Sequence, residues 1–136
     1  MNRDEIKTIL PHREPMLLVD EAVVTAENEC EGKYHVRGDE FFLQGHFPGN
    51  PVVPGVILCE IMAQTCSVIL ADRVKGSTPY FTGLTNVKFR NTVKPGDTLE
   101  LKCRIVKNKG PFYFGEGSGF VNGKLCVSAE FSFAVK

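Results

Sequence analysis

The sequence predicts an α+β fold in which an antiparallel β-sheet wraps around a long central α-helix. Two observations support this prediction. The run from Val56 to Ala71 is almost wholly apolar, which is typical of a helix surrounded by other structure. After Pro79, apolar and polar residues alternate with a period of two, as they do in half-buried strands. At 136 residues, the chain is expected to form one domain spanning residues 1–136.

The N-terminal half predicts one short helix and two strands. Asn2–Leu10 has a capping residue at its start and is followed by Pro11, so a helix is expected there. Met16–Val24 is apolar and partly β-branched, and we interpret it as the first strand. A turn then leads into a second strand, Cys30–Val36.

The C-terminal half predicts strands joined by tight turns. The central helix is expected to end between Val74 and Gly76. The alternation is clearest over residues 99–106 and 125–133. Asn122-Gly123 is a strong hairpin signal, and Pro95-Gly96 indicates another turn.

A proline-rich loop precedes the central helix. Pro48, Pro51 and Pro54 each fix φ near about −65°, so His46 is expected to lie on a rigid support. An imidazole titrates near neutrality, which makes His46 a candidate general base. The alternative is a loop histidine that bonds only to the backbone.

The central helix carries a narrow polar stripe of Glu60, Gln64 and Ser67 on an otherwise apolar surface. Burial favours the neutral form of a carboxyl group, so Glu60 is a candidate general acid. We expect the Gln64 amide to donate to Glu60, or else to bond a neighbouring strand. The N–H groups of Gly55 and Val56, at the start of the helix, are candidate donors to an oxyanion.

The loop and the helix together form a motif, and further matches follow in the same order along nearly the whole chain. The motif is His46-Phe-Pro-Gly-Asn-Pro-Val-Val-Pro-Gly-Val56 with Glu60 and Met62-Ala-Gln64, and the further matches are Leu10–Asp20, Tyr80–Gly83 and Pro95–Asp97. On these residues the chain resembles the 3-hydroxyacyl-[acyl-carrier-protein] dehydratases of bacterial fatty-acid synthesis, of the FabZ type. These are hotdog-fold enzymes.

The resemblance implies dehydration of a 3-hydroxyacyl thioester to a trans-2-enoyl thioester. It implies that His46 acts on C2 and Glu60 on the departing hydroxyl, and that the two meet across a dimer interface. Tyr80 and Phe81 would line an acyl tunnel, although ordinary strand packing is an equal alternative. His12 matches the family, but nothing in its chemistry marks it as catalytic, so a structural role is expected.

Two other functions stay open on the sequence alone. A hotdog thioesterase would use a carboxylate to attack or activate water at the thioester, and a binding module would keep the fold without the chemistry. Isomerase side activity, acyl chain length, dimer versus hexamer, and acyl carrier protein versus coenzyme A are also open.

Charge and composition bound the partners. The 16 basic and 16 acidic residues cancel, and no nucleic-acid motif is present, so nucleic-acid binding is disfavoured. Residues 88–109 are locally basic, and an acidic carrier protein would complement them; the alternative is that these side chains are only the solvated faces of strands.

The absence of certain sequence motifs bears on cofactors, metals and cellular location. No phosphate-binding, dinucleotide-binding or metal-ligand pattern appears, so neither a cofactor nor a metal is expected. The N-terminus shows no secretory pattern, and we interpret Val56–Ala71 as too short and too polar to cross a membrane, so a cytoplasmic protein is expected. The five cysteines are odd in number and widely spaced, which predicts reduced thiols.

Overall fold

A computed structural model describes residues 1–136 as three short or medium helices and six strands. The helices are α1 (Arg3–Lys7), α2 (Gly55–Ser67) and α3 (Ala71–Val74). The strands are β1 (Glu21–Ala26), β2 (Glu29–His35), β3 (Pro79–Phe89), β4 (Thr98–Lys109), β5 (Phe112–Val121) and β6 (Lys124–Val135).

The strands form one antiparallel sheet in the order β1-β2-β4-β5-β6-β3, and α2 packs against it. Buried residues of α2, including Leu58, Ile61 and Met62, join a core cluster with inward side chains of β2, β4, β5 and β6. The alternation predicted for β4 is present, since Leu99, Leu101 and Cys103 are buried and their neighbours are exposed. The predicted sheet around a central helix is confirmed.

The strand predicted at Met16–Val24 is wrong in its first half, because β1 begins only at Glu21. Leu17, Leu18 and Val19 are all buried, whereas a strand with one exposed face would bury alternate residues. The N–H of Leu18 donates to the side chain of Gln64 on α2. This segment is therefore held by the helix instead of by a neighbouring strand.

The two predicted helices also differ in extent from the structure. In α1 the Asn2 side chain accepts from the N–H of Glu5, and the Glu5 side chain accepts from the N–H of Asn2, as a capping box requires. Regular helix ends at Lys7 instead of Leu10. The central helix reaches Val74, but a 3-10 turn at Val68–Leu70 separates α2 from α3.

The apolar central helix has the length and composition of a membrane span over its 20 residues from Gly55 to Val74. This helix extends at both ends beyond the segment Val56–Ala71, which was judged from the sequence to be too short and too polar to cross a membrane. Just over half of its most apolar window is buried inside the fold. Packing against the sheet accounts for the apolar composition.

The predicted turns lie where the sequence places them. Asn122 and Gly123 have φ of 50° and 78°, and the flanking pair Val121 and Lys124 closes the hairpin between β5 and β6. At Pro95-Gly96, the N–H of Asp97 donates to the carbonyl of Lys94, which closes a turn before β4.

All five cysteines are reduced and buried, as predicted. Cys30 and Cys103 lie opposite each other on β2 and β4, beneath α2. Their thiols donate to carbonyls of that helix, Cys30 to Thr65 and Cys103 to Met62. Burial raises the pKa of the Cys66 thiol well above its ordinary value. These thiols act as apolar core groups.

The sheet has two edge strands, β1 and β3, and the longer of them is β3. β3 pairs with β6 on one side and has no strand on the other. Several large apolar side chains on β3 are exposed, among them Tyr80, Phe81, Leu84 and Phe89. An edge strand of this length with apolar side chains is a ready surface for pairing with another chain.

Candidate active site

The loop that carries His46 is anchored by a 3-10 turn at Phe41–Leu43. Phe42 and Leu43 are buried, and the N–H of His46 donates to the carbonyl of Leu43 at 3.3 Å. Phe41, in the same turn, is 46% exposed. The loop thus rests on two buried side chains and one backbone hydrogen bond.

The imidazole of His46 is fixed by a contact within its own loop. Its Nδ1 lies 2.9 Å from the carbonyl oxygen of Val52. A carbonyl can only accept, so Nδ1 carries the proton and Nε2 is left with a free lone pair. The ring of Phe47 lies 4.2 Å from the His46 ring, between centroids. The result is an unprotonated nitrogen on a half-buried ring.

His46 lines a cavity of about 520 Å³ together with the start of α2. The N–H groups of Gly55 and Val56 have no acceptor in the chain, because helical bonding begins with Ile57 donating to Pro54. The ring of Phe89 lies directly over Gly55, since a Cβ there would come within 2.7 Å of it. Two free backbone donors and a free imidazole nitrogen therefore share one cavity.

Glu60 occupies a different environment, built by residues distant in sequence. The amide of Gln64 donates to Glu60 Oε2 at 2.8 Å and to the carbonyl of Met16, also at 2.8 Å. The amide oxygen of Gln64 accepts from the N–H of Leu18 at 2.8 Å. The predicted bond from Gln64 to Glu60 is present, whereas its other two partners lie in the segment before β1 and not on a strand. This side chain ties the carboxyl group of α2 to the segment before β1.

His12 also faces Glu60, with Nε2 at 3.5 Å from Oε2. The guanidinium of Arg13 donates to the carbonyls of Lys7, Leu10 and His12, which fixes the chain around His12 after α1. Burial lowers the pKa of His12, and the nearby charge of Glu60 opposes that effect only in part. The position of His12 beside the acid was missed from the sequence, although its place in the Leu10–Asp20 match was a signal.

An ionic cluster holds the end of the same segment. Asp20 accepts from Arg3 at 2.8 Å, from Arg37 at 2.7 Å and from the N–H of His35 at 2.7 Å. Burial alone would raise the pKa of Asp20, but these three donors outweigh it and lower the pKa. The cluster joins the N-terminus of the chain to β2 and to the loop that follows it.

His46 and Glu60 line two separate cavities in one protomer. The cleft at Glu60 is small, about 20 Å³, and it shares no lining residue with the cavity at His46. Its lining residues are His12, Glu60, Ala63, Gln64, Ser67, Pro79, Phe81 and Phe133. The structure therefore brings His46 together with Gly55 and Val56, and Glu60 together with Gln64 and Phe81.

Tyr80 and Phe81 differ in their positions. Phe81 lines the cleft at Glu60 and is 40% exposed. Tyr80 is 54% exposed and lines none of the larger cavities. The two neighbours point to opposite faces of β3, as successive strand residues do.

The locally basic stretch of residues 88–109 does not form a purely basic surface in the structure. Lys88, Arg90, Lys102 and Arg104 line a groove of about 720 Å³ on the sheet, but four glutamates line it too. Arg104 pairs with one of them, Glu116. Arg90 also lines the cavity at His46, so it lies at the mouth of that site.

Comparison with known proteins agrees with the fold. Residues 10–130 match the family described as FabA-like domain. The dehydratase heterocomplex ApeI:P from Xenorhabdus doucetiae superposes with a TM-score of 0.83 at 21% identity, covering 96% of this chain and 90% of that one. Fold and site together define a hotdog-fold protein with a FabA-like domain.

Relatives with higher sequence identity show to which family of hotdog-fold proteins the chain belongs. A 3-hydroxyacyl-[acyl-carrier-protein] dehydratase FabZ from Clostridium beijerinckii is 45% identical, over 100% of this chain and 99% of the relative. The protein of the same name from Clostridium perfringens strain SM101 is 44% identical over 99% of both. The chain belongs to this FabZ dehydratase family.

Proposed function

We propose that the protein dehydrates 3-hydroxyacyl-acyl-carrier-protein to trans-2-enoyl-acyl-carrier-protein in fatty-acid biosynthesis, with His46 as general base and Glu60 as general acid. Membership of the dehydratase family supports the reaction. The observation that carries the assignment of the base is the hydrogen bond from His46 Nδ1 to Val52, since it leaves Nε2 free to take a proton.

The chemistry needs groups on two neighbouring carbons. His46 Nε2 removes the C2 proton, and the electron pair of that C–H bond forms the C2–C3 double bond. The C3–O bond breaks as Glu60 protonates the hydroxyl, which leaves as water. The N–H groups of Gly55 and Val56 stabilise the thioester oxygen while it carries negative charge. The enzyme exchanges only protons with the substrate, and the elimination of water changes no oxidation state of the protein, so two side chains suffice.

The complete site forms between two copies of the chain. Support comes from the separate cavities of His46 and Glu60 and from the open edge of β3 with its exposed apolar side chains. Pairing of β3 with β3 of a second copy extends the sheet and brings Phe81 and the cleft at Glu60 toward that copy. A homodimer is therefore the smallest active unit, and three dimers assembling into a hexamer is compatible with it.

The substrate approaches on its carrier from the side of Arg90. This side chain is exposed, makes no ion pair in the structure and lies at the mouth of the cavity with His46. An acidic carrier protein complements it electrostatically. Gln64 is buried and contacts Glu60, so it supports the acid without touching the acyl chain, while Phe81 and Tyr80 border the chain. A protein with this role works in the cytoplasm.

The test is hydration of a short trans-2-enoyl thioester on acyl carrier protein, followed by loss of enoyl absorbance. Both His46→Ala and Glu60→Gln are expected to lower kcat by at least about 10²-fold, because each removes one partner of a general acid–base pair. The exposed residues His35 and Glu27 provide matched controls, His35→Ala and Glu27→Gln, which should keep wild-type rates.

Oligomer size and far-ultraviolet circular dichroism identify variants that have lost their fold instead of their chemistry. A folded Glu60→Gln variant with wild-type kcat would remove Glu60 from the mechanism. Thiol release from a saturated acyl thioester would instead indicate a thioesterase. Tight binding of the enoyl thioester without turnover by the wild type would indicate a binding module.

A further inference from the structure

Glu60 presents two unlike oxygens. Oε2 accepts from Gln64 at 2.8 Å and faces His12 Nε2 at 3.5 Å. Oε1 makes no hydrogen bond within the chain and is not a buried unsatisfied atom, so it keeps access to the cleft. The side chain of Glu60 as a whole is 22% exposed. One oxygen is therefore anchored by the protein, and the other is open to a ligand.

His12 is an unusual neighbour for that anchored oxygen. Its Nδ1 is the single buried side-chain nitrogen or oxygen of the protein that lacks a hydrogen-bond partner. Buried polar atoms are normally paired, so an unpaired one needs an explanation. Glu60 is the only other ionisable residue of the cleft, and its Oε2 lies 3.5 Å from His12 Nε2, so the tautomer with a proton on Nε2 fits the geometry.

We propose that His12 is a positioning residue for Glu60. Together with Gln64 it directs donors at Oε2, so that the transferable proton resides on Oε1 and points toward the substrate hydroxyl. This inference rests on the proposed role of Glu60 as the acid. It assigns His12 a role in the reaction through the acid, without contact with the reacting atoms.

The change in charge on Glu60 during proton transfer explains what His12 contributes. When Oε1 delivers its proton to the departing hydroxyl, Glu60 becomes a carboxylate. The Nε2–H of His12 and the amide of Gln64 then face the new negative charge, which stabilises it as it forms. A cationic His12 would instead hold Glu60 as a carboxylate before the reaction and remove the acid.

The surroundings keep His12 neutral. Burial lowers its pKa, the charge of Glu60 acts in the opposite direction, and the charge of Arg13 lowers it further. No other titratable group faces the ring, because the other residues of the cleft are uncharged. Those residues are Ala63, Gln64, Ser67, Pro79, Phe81 and Phe133.

The experiment compares His12→Phe, which keeps a ring but no nitrogen, with wild type over a range of pH. The expected result is a loss of roughly tenfold in kcat with KM changed less than about twofold, since the interaction is made mainly in the transition state. The alkaline limb of the pH dependence of kcat reports loss of the acid proton. Without the Nε2–H donor the carboxylate is less stabilised, so this limb should move to higher pH.

Two further variants keep the test decisive. His12→Gln retains a donor that reaches Glu60 and should recover most of kcat, whereas the shorter amide of His12→Asn should not. If His12→Phe does not fold, this pair alone decides, and equal rates for the two amides would overturn the proposal. His35→Phe, at an exposed histidine that bonds Thr98, is the matched control.

A purely structural His12 gives a different pattern. Its loss would lower the temperature of unfolding while kcat and the alkaline limb stay at their wild-type values, and that result would overturn the proposal. Failure of the proposed function is separate, because it appears as an active Glu60→Gln variant whatever His12 does.

Discussion

The proposed base and the proposed acid are held in contrasting ways. His46 is fixed by the carbonyl of Val52, six residues away, on a loop stiffened by prolines. Glu60 is fixed by Gln64, which is itself bonded to Leu18 and Met16, 46 and 48 residues away. Local chain geometry therefore positions the side chain of His46, while tertiary contacts position the side chain of Glu60. Substitutions that disturb the fold far from the site should therefore displace Glu60 more readily than His46.

The largest effect is expected from mixing two inactive chains. If each complete site takes His46 from one copy and Glu60 from the other, a hybrid of His46→Ala and Glu60→Gln chains contains one intact site. Random mixing should then restore about a quarter of wild-type activity, because half of the dimers are hybrids with one of two sites working. Co-expression with two different affinity tags and the hydration assay measure this.

The control for that experiment is a mixture of two differently tagged His46→Ala chains, which should remain inactive. Hybrid dimers isolated with both tags that have no activity would place His46 and Glu60 in a site within one copy. Such a result would remove the interface from the mechanism but leave the acid–base pair to be tested separately.

Gln64→Leu should strongly lower the free energy of unfolding, because Gln64 ties α2 to the segment before β1. The change leaves the N–H of Leu18 and the carbonyl of Met16 without partners in a buried region, which costs about 2–4 kcal/mol of unfolding free energy. Urea unfolding measures the loss. Gln44→Leu, at an exposed glutamine, should change stability by less than about 0.5 kcal/mol. A Gln64→Leu variant as stable as wild type would show that another group replaces these bonds.

Asp20→Asn should lower the free energy of unfolding by an amount that depends on pH. The folded-state pKa of Asp20 is lowered, so its carboxylate stabilises the fold above the ordinary carboxyl pKa of about 4, and this contribution disappears as the pH falls through the folded value. The difference in unfolding free energy between wild type and Asp20→Asn should therefore be largest at neutral pH and shrink below about pH 4.

Urea unfolding at several pH values tests this dependence, with Asp39→Asn at an exposed aspartate as the control. A difference between wild type and Asp20→Asn that is the same at pH 7 and at pH 3 would mean that Asp20 contributes by packing instead of by charge.

The smallest effect is expected on the base side, from Gly55→Ala. The new Cβ would lie within 2.7 Å of the Phe89 ring, but that ring is 54% exposed and has room to swing away. Stability should fall by less than about 1 kcal/mol. Activity should fall a few-fold, because Phe89 lines the cavity with His46. In a Phe89→Leu background Gly55→Ala should change activity little, and an equal loss there would exclude the ring as the cause.

The sequence allowed the sheet and the central helix to be predicted because these depend on local patterns. The alternation in β4 and the Asn122-Gly123 hairpin follow from neighbouring residues. The first half of the strand predicted at Met16–Val24 was wrong because Gln64 hydrogen-bonds to the backbone of Met16 and Leu18. The proximity of His12 to Glu60 likewise depends on a contact across 48 residues of chain, which no periodicity signals.

The five buried thiols give the molecule a built-in reporter of opening. None of their residues is more than 5% exposed, and burial raises the pKa of Cys59 and Cys66, which disfavours the reactive thiolate. A thiol-specific probe thus meets an unreactive native state and labels only molecules that have opened locally or globally. Because Cys30 and Cys103 lie on strands and Cys59 and Cys66 on the helix, the order of labelling would show whether helix or sheet separates first.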